Sequence, residues 1–98
     1  MKQFTVIQLE RIKNLLEKFR KCNTDKFSYF KVYGIKTFKD SENNFYISYI
    51  TEAITLDGTE LIFSYIKILP DGTEIKLTDS MNQKELNEMF SKLETIIL

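Results

Sequence analysis

Four of the five tyrosines, Tyr29, Tyr33, Tyr46 and Tyr65, share one face of a sheet once the strand-forming segments are paired, with Lys31, Glu52, Phe63 and Lys67 among them. Aromatic rings beside a few charges make two kinds of surface. They can bury against another protein, or they can stack nucleic-acid bases while the lysines meet phosphate. A second cationic set, Arg11, Lys13, Lys18 and Arg20, flanks the apolar stripe of the first helix and is placed for phosphate contacts.

Catalysis has less to work with. The sequence contains no His and one Cys, so a Ser or Cys nucleophile would need Lys, Asp or Glu as its base. Cys22 cannot form an internal bridge, and without His no zinc or transition-metal ligand set of the usual N/S kind is present. The three glycines, Gly34, Gly58 and Gly72, are isolated and build no phosphate loop. Carboxylate pairs such as Asp40 with Glu42, or Glu52 with Glu60, are the kind every surface carries. The expectation is therefore no enzyme, no cofactor and no metal.

Charge is unevenly spread. The formal net charge is zero, yet residues 1 to 39 hold ten basic and three acidic groups, and residues 40 to 98 hold four basic and eleven acidic. A basic edge of this kind can dock on phosphate or on an acidic protein, but zero total charge opposes tight nonspecific nucleic-acid binding. Lys outnumbers Arg twelve to two and Ile, Phe and Asn are abundant, the bias of an AT-rich coding sequence. That bias suggests a low-GC bacterium, phage or mobile element.

The 98 residues, 43% apolar and 29% charged, suit one ordinary globular domain. No apolar run approaches the roughly 20 residues of a membrane helix, and Met1 to Thr5 lack the core of a signal peptide. A cytoplasmic protein without membrane contact is expected.

The elements follow from pattern. Thr5-Val6-Ile7-Gln8 reads as a capping box, with Phe4 available to staple onto Leu9. A helix over residues 6 to 22 then presents Leu9, Ile12, Leu15, Leu16, Phe19 and Cys22 as one stripe, with Glu17 and Lys21 spaced to pair. Segments 28 to 39, 44 to 56, 60 to 69 and 73 to 78 are rich in β-branched and aromatic residues and are divided by turn signals, among them Asp57-Gly58 and Asp71-Gly72. Ser80-Met81-Asn82-Gln83 reads as a second capping box, opening a helix over residues 81 to 97. The result is an α+β domain of order α-β-β-β-β-α: an antiparallel four-strand meander with two amphipathic helices packed on the sheet.

Turn lengths assign the faces. A two-residue Asp57-Gly58 turn pairs Ile50 with Tyr65 and Glu52 with Phe63. A four-residue loop over residues 40 to 43 pairs Lys31 with Glu52, Tyr33 with Ile50 and Gly34 with Tyr49, whose ring can cover the gap left by Gly34. One face then carries Phe30, Val32, Phe38, Phe45, Ile47, Ala53, Ile62, Ile66 and Ile68 and is expected to lie under both helices. The other, here the tyrosine face, adds Ile35, Ile50, Ile54, Leu61 and Leu69 to the residues above, too apolar to stand bare on a monomer. At the last turn, a three-residue Pro70-Asp71-Gly72 loop is favoured because Pro70 has no amide to donate, and it sends Ile75 and Leu77 to the tyrosine face, whereas a two-residue Asp71-Gly72 turn would send them to the other. One helix on each face would leave neither face free.

The expected function is a small non-catalytic protein-interaction module. It would bind another protein or a second copy through Tyr29, Lys31, Tyr33, Tyr46, Glu52, Phe63, Tyr65 and Lys67, as a homodimer or as a phage or mobile-element accessory protein occluding a host factor. The alternative is single-stranded RNA or DNA binding through the tyrosines and lysines, with the basic helix on the phosphates.

Overall fold

The computed structural model describes residues 3 to 98. Helix α1 (Val6–Thr24) begins at the capping box, with the Thr5 side chain accepting from the Gln8 amide and the Gln8 side chain accepting from the Thr5 amide. Three long strands follow, β1 (Phe30–Lys39), β2 (Phe45–Thr55) and β3 (Gly58–Ile68), then a short β4 (Glu74–Lys76). A 3-10 turn over Leu77–Asp79 leads to helix α2 (Gln83–Ser91) and a last strand, β5 (Glu94–Ile96). The antiparallel sheet has the order β4-β3-β2-β1-β5, so the expected four-strand meander is present with a fifth strand added at its β1 edge.

That fifth strand shortens the second helix. Residues 94 to 96 pair with Thr37, Phe38 and Lys39 instead of continuing the helix. Thr95, Ile96 and Ile97 are β-branched, and the β1 edge there offers unpaired backbone groups that a helix would leave to solvent. The helix also starts later than expected, because the capping box is Asn82 with Glu85 and not Ser80 with Gln83.

Register departs from expectation at two turns. The β2–β3 hairpin turns on Leu56-Asp57, pairing Thr55 with Gly58, Ile50 with Phe63 and Glu52 with Leu61. A type I′ turn on Asp57-Gly58 would need Asp57 at positive φ, but the chain reserves positive φ for Gly58 (+123°). The shift is two residues, so partners change and faces do not. The β3–β4 loop holds Pro70-Asp71-Gly72, closed by hydrogen bonds from Leu69 N to Thr73 O (2.9 Å) and Gly72 N to Leu69 O (2.8 Å). Ile75 consequently lies opposite Lys67, and Leu77 is buried against Tyr46 on the tyrosine face.

The larger departure is a bulge in β1. Tyr33 pairs with Ile50 and Lys36 with Ser48, so Gly34 and Ile35 together stand opposite the single residue Tyr49. Gly34 takes φ +64°, in the left-handed region. The bulge reverses the second half of β1: Phe38, expected on the face with Val32, instead pairs with Tyr46 and packs on the tyrosine face. Ile35 lines a groove with Leu16 and Ile96, away from its expected place. Tyr49 does not cover Gly34 either; its ring lies on Phe19 under α1, centroids 4.4 Å apart, and the neighbour of Gly34 is Ile50.

Each helix takes one face, contrary to the expectation that both share one. Ile12 and Phe19 of α1 pack with Val32, Phe45, Ile47, Ile66 and Ile68. Leu9 is half exposed, and the stripe is completed by the fully buried Gln8. Its Nε2 donates to the carbonyls of Asn43 and Ile68, both at 2.9 Å, tying the helix start to the β1–β2 loop and to the end of β3. Phe4 meets Phe45 edge to face, and Glu17 pairs with Arg20 where Lys21 was expected. On the opposite side, Leu86 and Phe90 of α2 form a second core with Tyr46, Leu77, Phe38 and Tyr65.

Candidate protein-binding face

Helix α2 has three turns at most and covers one end of the tyrosine face. Phe90 is its anchor, meeting Phe38, Tyr46 and Tyr65 edge to face with centroids 5.2, 5.8 and 5.1 Å away. The opposite end, toward the β2–β3 turn, stays open. Tyr33 is 43% exposed, Leu61 49%, Phe63 51% and Ile54 55%, with the half-buried Ile50 and Glu52 among them. These residues stand in register across three strands, Tyr33 beside Ile50, Ile50 beside Phe63 and Glu52 beside Leu61. The molecule is elongated accordingly, with extents of 46 × 30 × 21 Å and a radius of gyration of 14.3 Å, against about 13 Å for a compact domain of this length.

The expected binding residues thus divide in two. Tyr29, Lys31, Tyr33, Glu52 and Phe63 lie at the open end. Tyr29 extends the β1–β2 pairing, its carbonyl accepting from Ile54 N at 2.9 Å, and its side chain is well exposed. Tyr46, Tyr65 and Lys67 lie at the covered end and are engaged within the chain: Tyr46 is buried, the Tyr65 hydroxyl accepts from Gln83 Nε2 at 2.7 Å, and the Lys67 ammonium sits 5.6 Å from the Tyr46 ring centre. Ile50, Ile54 and Leu61, assigned to this face by the strand pattern but outside the expected binding set, stand at the open end as well. Their signal was the same two-residue alternation that selected the tyrosines.

Electrostatics support the division. Lys31 stands opposite Glu52, but its ammonium reaches back to the Asn23 carbonyl at 3.4 Å. Among the described residues Glu52 makes no ion pair, so the open patch carries one unpaired carboxylate within apolar surroundings. At the covered end, Asp40 accepts from the amides of Glu42 and Asn44, from the Asn44 side chain, and from the Tyr46 hydroxyl at 2.7 Å. Burial pushes the Asp40 carboxyl up, but those hydrogen bonds together hold it below its ordinary value. Burial, reinforced by the Asp40 carboxylate, pushes the Tyr46 hydroxyl well above its ordinary range. This network closes a loop and is a structural element.

The basic set lies elsewhere. Arg11, Lys13, Lys18 and Arg20 are exposed on α1, whose apolar side packs on the face opposite the tyrosines. The sheet stands between those cations and the open patch. Among the described residues, no three of His, Cys, Asp and Glu converge where a metal ion could sit, and no helix is long and apolar enough to cross a membrane. Compared with protein-family models, with curated proteins and with solved structures, the chain matches none.

Proposed function

We propose that this chain is a non-catalytic protein-interaction module whose contact surface is the open end of the tyrosine face. The observation that carries the reading is the patch of Tyr33, Ile54, Leu61 and Phe63, each about half exposed on strands held in register by the β1–β2 and β2–β3 ladders. Large apolar groups held in register by a ladder lose little freedom on binding, which favours tight association. Glu52 at the margin supplies orientation more than affinity.

The partner is another protein or a second copy of this chain. As an accessory protein of a phage or mobile element in the cytoplasm, it would act by covering a surface of a host protein. The single-stranded nucleic-acid reading draws less support from the geometry, since Tyr46 and Tyr65 pack against α2, Lys67 lies over the Tyr46 ring, and the basic helix lies across the sheet.

Substitution at the open end tests the proposal. Ile54→Asp and Phe63→Asp place a charge in the contact while leaving both cores intact. Each should weaken association by at least roughly tenfold with unchanged circular dichroism. Unchanged binding in both variants would place the contact elsewhere.

A further inference from the structure

We infer that the partner is a second copy, joined edge to edge through β3 as an antiparallel pair with Leu61 at the two-fold axis. The inference rests on the interaction-module reading and names its partner and mode. Among the described residues, β3 pairs on its outer side with β4 at Ile66, Lys67 and Ile68 alone, so the stretch from Gly58 to Ser64 has a free outer edge. A free edge is a template for another strand.

Backbone direction makes that edge self-complementary. The Leu69 amide donates outward to Thr73 O, and β2 and β3 pair without a register break from Phe45–Ile68 to Thr55–Gly58. Odd-numbered residues of β3 therefore direct their N–H and C=O outward, and even-numbered ones toward β2. The free stretch runs from the turn at Gly58 to Ser64, where the 3-10 turn after β4 closes in, and its midpoint is Leu61. An axis through an odd residue matches donor to acceptor: Leu61 pairs with Leu61, and Thr59 with Phe63, in each direction. No like charges fall opposite, because the one charged residue in the stretch, Glu60, faces Ile62.

The outermost strands β4 and β5 are only three residues each, so the longer uncovered stretches lie on β1 and β3, and these two differ in a way that selects β3. The stretch of β1 beyond β5 carries Lys31, Lys36 and the Gly34-Ile35 bulge, features that deter strand addition, and its Val32 N–H and C=O are already held by the Asn23 side chain. The β3 stretch has no Lys, no Pro and no bulge. Pairing β3 with β3 is isologous and closes as a dimer, whereas β3 on β1 would propagate into a filament that the bulge opposes. In the dimer the two open patches become continuous across the axis, with Leu61 and Phe63 of each copy at the seam.

Light scattering and amide hydrogen exchange on the full chain over a concentration series test the inference, with Leu61→Pro as the variant. The Leu61 N–H points outward, so proline there removes a donor of the new ladder and keeps pairing with β2. The expected result is a dimer in which the amides of Thr59, Leu61 and Phe63 gain protection in step with dimer fraction, and which Leu61→Pro weakens at least roughly tenfold. A dimer in which those amides stay fast-exchanging overturns edge pairing and leaves the face reading standing; Phe63→Asp would then still dissolve it. A chain that stays monomeric at NMR concentrations also overturns the inference, and Ile54→Asp assayed against a foreign partner then decides the face reading by itself.

Discussion

Phe38 meets Phe90 edge to face, with ring centroids 5.2 Å apart and planes at 88°, because two residues of β1 stand opposite one of β2 at Gly34-Ile35. Without the extra residue, Phe38 would point to the α1 side and α2 would lose one of its three aromatic partners. Gly34→Val is therefore expected to destabilise by about 1 to 3 kcal/mol, from the left-handed backbone (φ +64°) and from crowding of Ile50 Cδ1, which lies 3.2 Å from a built Cβ. Gly34→Asn should cost less, as Asn tolerates that conformation. Urea denaturation of the two variants gives the comparison.

Gln8, fully buried, joins a helix cap to the β1–β2 loop and to the end of β3. Gln8→Leu leaves the Asn43 and Ile68 carbonyls without their donor and breaks the capping box, an expected loss of about 2 to 4 kcal/mol. Gln8→Glu is isosteric but points a carboxylate at two carbonyl oxygens, so its own ionisation is disfavoured in the fold and its folded pKa is raised. Its deficit against the parent should be smallest below about pH 4, where Glu is protonated, and should grow as pH rises. Denaturant midpoints at pH 4 and pH 7 read the difference.

Asp40 has the opposite sign. Its carboxyl is held below the ordinary value of about 3.9 despite burial, by hydrogen bonds from Asn44, Tyr46 and two amides. A depressed folded pKa contributes stability that is complete above the unfolded value and is lost as pH falls through the folded one. The stability gap between the parent and Asp40→Ala should thus be widest near neutrality and narrow below about pH 4. Tyr46→Phe, which removes one donor, should shift that narrowing to higher pH. Thermal melts at pH 7, 4 and 3 follow it.

Phe90 holds α2 on the sheet. Phe90→Ala is expected to cost about 3 to 5 kcal/mol and to free Tyr65 and Tyr46 from their ring contacts. Dye binding and tyrosine fluorescence should then report a larger exposed apolar surface, since the whole tyrosine face is uncovered. A variant as stable as the parent would show that α2 is held by other contacts.

Much of this arrangement was legible in the order of residues. The Thr5–Gln8 cap and the Pro70-Asp71-Gly72 loop form as read, because each depends on local chemistry over four residues or fewer. The β1–β2 register beyond the bulge was right through two offsetting departures: the loop at Asp40 is one residue shorter than expected, with Asn43 at φ +64°, and the bulge restores the count. Face assignments in β3 survived a two-residue slip for reasons of parity. What could not be read was tertiary. A bulge at Gly34, strand pairing by residues 94 to 96, and a helix on each face all depend on partners distant in sequence, and a helical spacing from Leu86 to Ile97 cannot report that an open β1 edge competes for its end. For the same reason the strand pattern could not show that α2 packs on Tyr46 and Tyr65 or that Lys67 lies over the Tyr46 ring.

The claim that two copies of the chain associate through the open end of the tyrosine face is tested most directly by solution mass. Light scattering over a concentration series at low and high salt, on the parent and on Phe63→Asp, should show a dimer that salt leaves intact and that the substitution returns to monomer. A parent chain that is monomeric throughout, or an assembly that dissolves in salt and ignores Phe63→Asp, would contradict the account.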